Sequence, residues 1–97
     1  MLTVQVRGES GNIVLRGECR LDWQDLQYVS GDEFPHLGGI LPYADTMFNA
    51  RQVVKVRQEA GSPRIRELLG DGVVEEIERL CLAVEGGSHL YLWFLGD

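Results

Sequence analysis

Ser88-His89-Leu90-Tyr91-Leu92-Trp93-Phe94-Leu95-Gly96-Asp97 is the stretch that decides the fold. From His89 to Leu95 every side chain is large, and most are apolar, aromatic or both. No Gly or Pro interrupts the run. Aromatic residues suit a pleated surface, and a short apolar run bounded by Gly reads as a buried strand. Alternation places Leu90, Leu92 and Phe94 on one face and His89, Tyr91, Trp93 and Leu95 on the other. A strand with large side chains on both faces belongs inside a sheet, covered on both sides at least in part.

The rest of the chain must supply the neighbours and the covers. Leu2, Val4 and Val6 alternate with Thr3, Gln5 and Arg7, which predicts a half-buried strand. Gly8-Glu9-Ser10-Gly11-Asn12 supplies turn chemistry. A second alternation follows, with Ile13, Leu15, Gly17, Cys19 and Leu21 on the dry side, so the N-terminus reads as a hairpin. From Trp23 to Tyr43 periodicity fails; extended pieces fit at Leu26–Val29 and at Leu37–Leu41, and at least one short strand is expected, Leu26–Val29 ahead of the other. A helix is expected to start at Asp45 or Thr46 and to stop at Gly61-Ser62-Pro63. Val73, Val74, Ile77, Leu80, Cys81 and Val84 recur at intervals of three or four, marking a second amphipathic helix ended by Gly86-Gly87. The expected architecture is a single α+β domain over residues 1–97. It has an antiparallel sheet of three to four strands, the N-terminal hairpin plus a central C-terminal strand. Two helices pack against the sheet, and the segment after the hairpin covers part of the other face.

Composition narrows the function classes. The chain has 97 residues, 44% hydrophobic and 25% charged, with a net charge of −6. That balance disfavours a nucleic-acid backbone, which needs Lys and Arg to replace counterions. No run of about 18 apolar residues occurs, so no membrane-spanning helix is expected. The N-terminal residues alternate and lack the apolar core of a secretory leader. Cys19 and Cys81 read as two buried free thiols, which fits a reducing cytoplasm. His36 and His89 have no close Cys or His neighbour, so no metal site is expected. No G-x-S-x-G, P-loop or H-E-x-x-H pattern occurs, so neither catalysis nor a cofactor is expected.

Two groups of residues stand out as candidate sites. The first is an acidic-aromatic segment. Between Asp22 and Ala50 there are five acids and no Lys or Arg. Trp23, Asp25, Tyr28, Asp32, Glu33 and Phe34 are its candidate partner-binding residues, because aromatic anchors and steering acids suit docking to a basic protein. The second group joins two blocks, Asp45-Thr46-Met47-Phe48-Asn49-Ala50-Arg51-Gln52 and the aromatic strand. On a helix Asp45, Asn49 and Gln52 would form one polar stripe, with Thr46 as an alternative cap. His89, Tyr91 and Trp93 would form an aromatic wall, with Tyr43 and Asp97 at its rim.

The same two blocks resemble a family of small bacterial proteins with the pattern D-T-x-F-N-x-x-Q in the middle and H-L-Y-L-W-F-x-G-D at the C-terminus. Both blocks match without departure and cover under a fifth of the chain. The resemblance implies a bacterial cytoplasmic protein and directs attention to these residues; it carries no activity with it. The leading expectation is a non-catalytic protein-binding module, such as an immunity- or antitoxin-like inhibitor of a basic partner. The alternative is a small-ligand binding or sensing domain that uses 43–52 and 89–97 as one pocket.

Overall fold

The computed structural model describes residues 2–18 and 21–96. The fold is α+β, with a four-stranded antiparallel sheet in the order β2-β1-β4-β3. The strands are β1 (Thr3–Gly8), β2 (Ile13–Arg16), β3 (Thr46–Phe48) and β4 (Leu90–Leu95). The helices are α1 (Trp23–Leu26), α2 (Ala50–Ala60), α3 (Pro63–Leu69) and α4 (Asp71–Gly86), with a 3-10 turn at Leu37–Gly39. The aromatic strand β4 is central, between β1 and β3.

Register explains the inner face. Val4 lies opposite Phe94 and Val6 opposite Leu92, while Phe48 faces Leu92 from the other side. These side chains are buried and form one core with Val53 and Val56 of α2 and Val74, Ile77, Leu80, Cys81 and Val84 of α4. Each such large side chain withdrawn from water stabilises the fold by about 1.5–3 kcal/mol. Both long helices pack against the sheet, and α3 packs against α2 and α4.

Several boundaries differ from the sequence reading, each for a local reason. The second strand ends at Arg16; beyond it the Gly17 N–H donates to the Val4 carbonyl, and a bridge joins Leu2 to Leu21. A register shift opposite Val6 and Arg7 aligns Ile13 with Arg7, so Ile13 joins the outer face and is exposed. Cys19 lies outside the described residues. No strand forms at Leu26–Val29. Asp22 instead accepts the Gln24 N–H and caps the helical turn α1. The segment around residues 23–40 does not cover the second face of the sheet: Leu26, Phe34, Leu37 and Ile40 join the core, and its packing runs to α2 and α3. Close backbone contact with Gly31 holds it compact at Gly38, where a Cβ would meet the Gly31 backbone at 2.6 Å.

One carboxylate fastens this segment. Glu59 of α2 accepts the backbone N–H groups of His36 and Leu37 and lies 2.7 Å from His36 Nδ1. The His36 ring leans on Phe48, and Phe48 meets Phe94 edge-on, with centroids 5.7 and 5.9 Å apart. Two further carboxyls brace the helix layer. The Arg57 hydrogen bond and charge hold Glu85 below the usual range against the opposing effect of burial. The Arg79 hydrogen bond does the same for Glu76, which also accepts the Glu18 N–H.

Two predictions follow from this packing. Glu59→Ala strands two buried-side N–H groups and is expected to cost about 2–4 kcal/mol in urea unfolding, with Glu59→Gln recovering part. Unchanged stability would show that the clamp is idle. Cys81 is a free, fully buried thiol whose ionisation burial pushes up to about 12. It should resist iodoacetamide at pH 8 until the protein unfolds. Because the folded value lies above the unfolded one, the thiol's contribution to stability is complete below pH 9 and declines as pH rises toward 12.

Candidate functional site

The two sequence blocks meet, but as neighbouring strands. Thr46 pairs with Phe94, Met47 with Trp93 and Phe48 with Leu92. Thr46–Phe48 is therefore an edge strand, and the cap of α2 lies four residues after the earlier of the two expected caps. Asn49 is the N-cap. Its side chain accepts the N–H groups of Arg51 and Gln52, and the Gln52 side chain accepts the Asn49 N–H. This reciprocal arrangement satisfies three otherwise orphaned donors. The polar stripe of Asp45, Asn49 and Gln52 does not exist, because Asp45 lies before β3 and outside the helix. Thr46 is a half-buried strand residue.

Asp45 has a different task. Its Oδ1 accepts the Gly96 N–H at 3.2 Å, tying the start of β3 to the end of β4. Gly96 is required there. A Cβ at this position would meet the backbone of Ala44 at 2.6 Å and of Pro42 at 2.8 Å. Asp97 lies outside the described residues. Tyr43 is 83% exposed beside this junction in the chain.

Around the start of α2 lies an open cleft of about 280 Å³, lined by Asn49, Ala50, Arg51, His89, Leu90 and Tyr91. It draws on both blocks. His89 enters it from a left-handed backbone conformation (φ 54°) and stands 3.8 Å from Glu9. Gln52 and Trp93 are not among its lining residues. The cap already engages the N–H groups of Arg51 and Gln52, so the cleft offers an exposed guanidinium, an imidazole and a phenol ring rather than free helix donors. Among the described residues no group of three His, Cys, Asp or Glu side chains could hold a metal ion.

The acidic-aromatic segment divides. Phe34 is buried in the core and so cannot serve as a surface anchor, while Trp23 is half-buried against that core. Asp25, Asp32 and Glu33 are exposed, and Tyr28 is 67% exposed. None of those three acids is in an ion pair among the described residues. In contrast, Glu67, Asp71, Glu76, Glu78 and Glu85 each have an arginine within reach, and Glu59 has His36.

A further surface was legible in parts but not as a whole. On the outer face of the sheet Gln5 and Met47 flank Trp93, and Arg7 faces Tyr91. The Arg7 guanidinium carbon lies 5.3 Å from the Trp93 ring centroid, and its Nε donates to Gln5 Oε1 at 3.0 Å. The alternation of β1 marks Gln5 and Arg7 as outward residues. Only the register between β1 and β4 sets them beside Trp93.

The Asp45–Gly96 junction can be tested directly. Asp45→Ala should cost about 0.5–1.5 kcal/mol for one hydrogen bond, and Gly96→Ala about 1–3 kcal/mol for a crowded backbone, both read by thermal and urea unfolding. Equal stability of Gly96→Ala and the native chain would show that residues 42–44 do not press on β4.

No protein-family model matches the chain, and neither a curated protein nor a solved structure matches it.

Proposed function

We propose that the protein is a non-catalytic binding module that inhibits or neutralises a basic protein partner, in the manner of an immunity protein or antitoxin. The observation that carries this reading is the contrast among its carboxylates. Six of the seven on helices α2 to α4 lie beside a basic side chain, Glu75 being the one without an ion pair among the described residues. Asp25, Asp32 and Glu33, which flank exposed Tyr28 in the chain, have no ion pair among the described residues. Free acids around an aromatic side chain accelerate docking to a basic surface and can anchor it. A bacterial, reducing cytoplasm completes the reading: the free buried thiol of Cys81 supports the compartment, and the resemblance of the two blocks supports the origin.

A second reading has one observation in its favour. The cleft of Asn49, Arg51, His89 and Tyr91 gathers residues of both blocks, which supports a small-ligand or sensing role.

Affinity capture from the native host tests the two together, with Asp25→Lys/Glu33→Lys and Arg51→Glu as the comparison baits. The expected result is a basic protein retained by the native chain and by Arg51→Glu. It should be weakened at least tenfold, about 1.4 kcal/mol, by the double charge reversal, and released by moderate salt. Retention by the double variant removes the acidic segment from the interface. Loss with Arg51→Glu alone moves the site to the cleft.

A further inference from the structure

We propose that the outer face of the sheet is a second docking surface, and that it takes a protein segment presenting a carboxylate beside apolar side chains. Ile13, Val14 and Met47 are exposed there, and Tyr91 and Trp93 are half-buried between them. Apolar side chains gathered on a face that no helix covers mark an interaction surface.

Charge then selects the occupant. Arg7 and Arg16 both belong to this face, and neither is paired with a carboxylate among the described residues. The strand positions of the face include no acid at all, although the chain as a whole carries −6. Four arginines of the helix layer, by comparison, are held in ion pairs. Arg7 is also fixed in advance. Gln5, only 9% exposed, accepts its Nε–H, and the Trp93 ring lies under its guanidinium. That leaves the donors on the two terminal nitrogens for a carboxylate, the partner a guanidinium fork fits best. A prepositioned cation beside an aromatic ring loses little freedom on binding.

Other occupants fit less well. A second copy laid face to face would set Arg7 and Arg16 against their own kind with no acid to separate them. A nucleic-acid strand would meet two arginines on a chain of strongly negative charge. Strand addition at the sheet edges is disfavoured because β3 has three residues and β2 carries the register shift.

The experiment is selection from a displayed random peptide library on the native protein. Arg7→Gln and Arg16→Gln serve as comparison targets, each checked for native circular dichroism. Leu82→Ala, on the exposed side of α4, controls for nonspecific effects. The expected enrichment is for Asp or Glu next to Leu, Phe or Tyr, with binding at least about tenfold weaker to either arginine variant and unchanged by Leu82→Ala. A Trp23→Phe background leaves Trp93 as the sole indole, and its fluorescence should shift on peptide addition. Enrichment for Lys or Arg, no enrichment, or binding to the arginine variants as strong as to the native protein would overturn the proposal. So would Arg7-dependent binding of oligouridylate in place of peptides, or Arg7-dependent self-association in sedimentation.

Discussion

The six-residue antiparallel ladder between β1 and β4 is the interaction on which the rest depends. It pairs Thr3 through Gly8 with Leu95 through Leu90, residues separated by most of the chain. By doing so it sets Val4, Val6, Leu92 and Phe94 side by side and creates the apolar floor that α2 and α4 cover. β2 and β3 each add to one side of this pair, and neither touches the other. Without the ladder there would be two separate strand fragments, and isolated two-stranded hairpins are marginal in water. The ladder also fixes the outer face, because the same register that buries Val6 against Leu92 presents Arg7 and Trp93 together.

The helix layer is attached to that floor through a polar contact as well as an apolar one. Glu59 reaches from α2 to two backbone donors of the preceding segment, and His36 carries the contact on to Phe48 and Phe94. A carboxylate accepting several N–H groups is a strong local constraint. It lets a segment with little regular structure of its own contribute Phe34, Leu37 and Ile40 to the core. The acids left exposed on the same segment are thereby displayed from a fixed platform.

Much of this was legible in the residues. The β4 run announces a central strand, and its even spread of large side chains is satisfied once β1 and β3 flank it. The long helix α4 follows from its three-and-four spacing. Less legible was the interval from Trp23 to Gln52. Thr46-Met47-Phe48 is too short to show a period, and only the tertiary edge offered by β4 makes it a strand. The spacing of Asn49 and Gln52 does carry a capping-box signal, which competes with Asp45 and Thr46 as plausible caps. Phe34 reads as an interface anchor by composition. It is buried because the Glu59 clamp folds its segment inward, and such a long-range contact leaves no local pattern. The second cover expected for β4 is absent for a related reason: Gln5, Arg7 and Trp93 shelter one another, so the outer face needs no helix above it.

The position of β4 in the sheet has a consequence for synthesis. β1, β3 and α2 all precede it, yet the inner faces of β1 and β3 share no neighbour until Leu90–Leu95 is available. At elongation rates of about 5–20 residues per second, roughly two to eight seconds separate Phe48 from Leu90. During that interval Val4, Val6 and Phe48 belong to strands with open edges and no central partner. Exposed apolar surface and unpaired strand edges of this kind favour aggregation, and the β1–β4 ladder is the pairing that closes them.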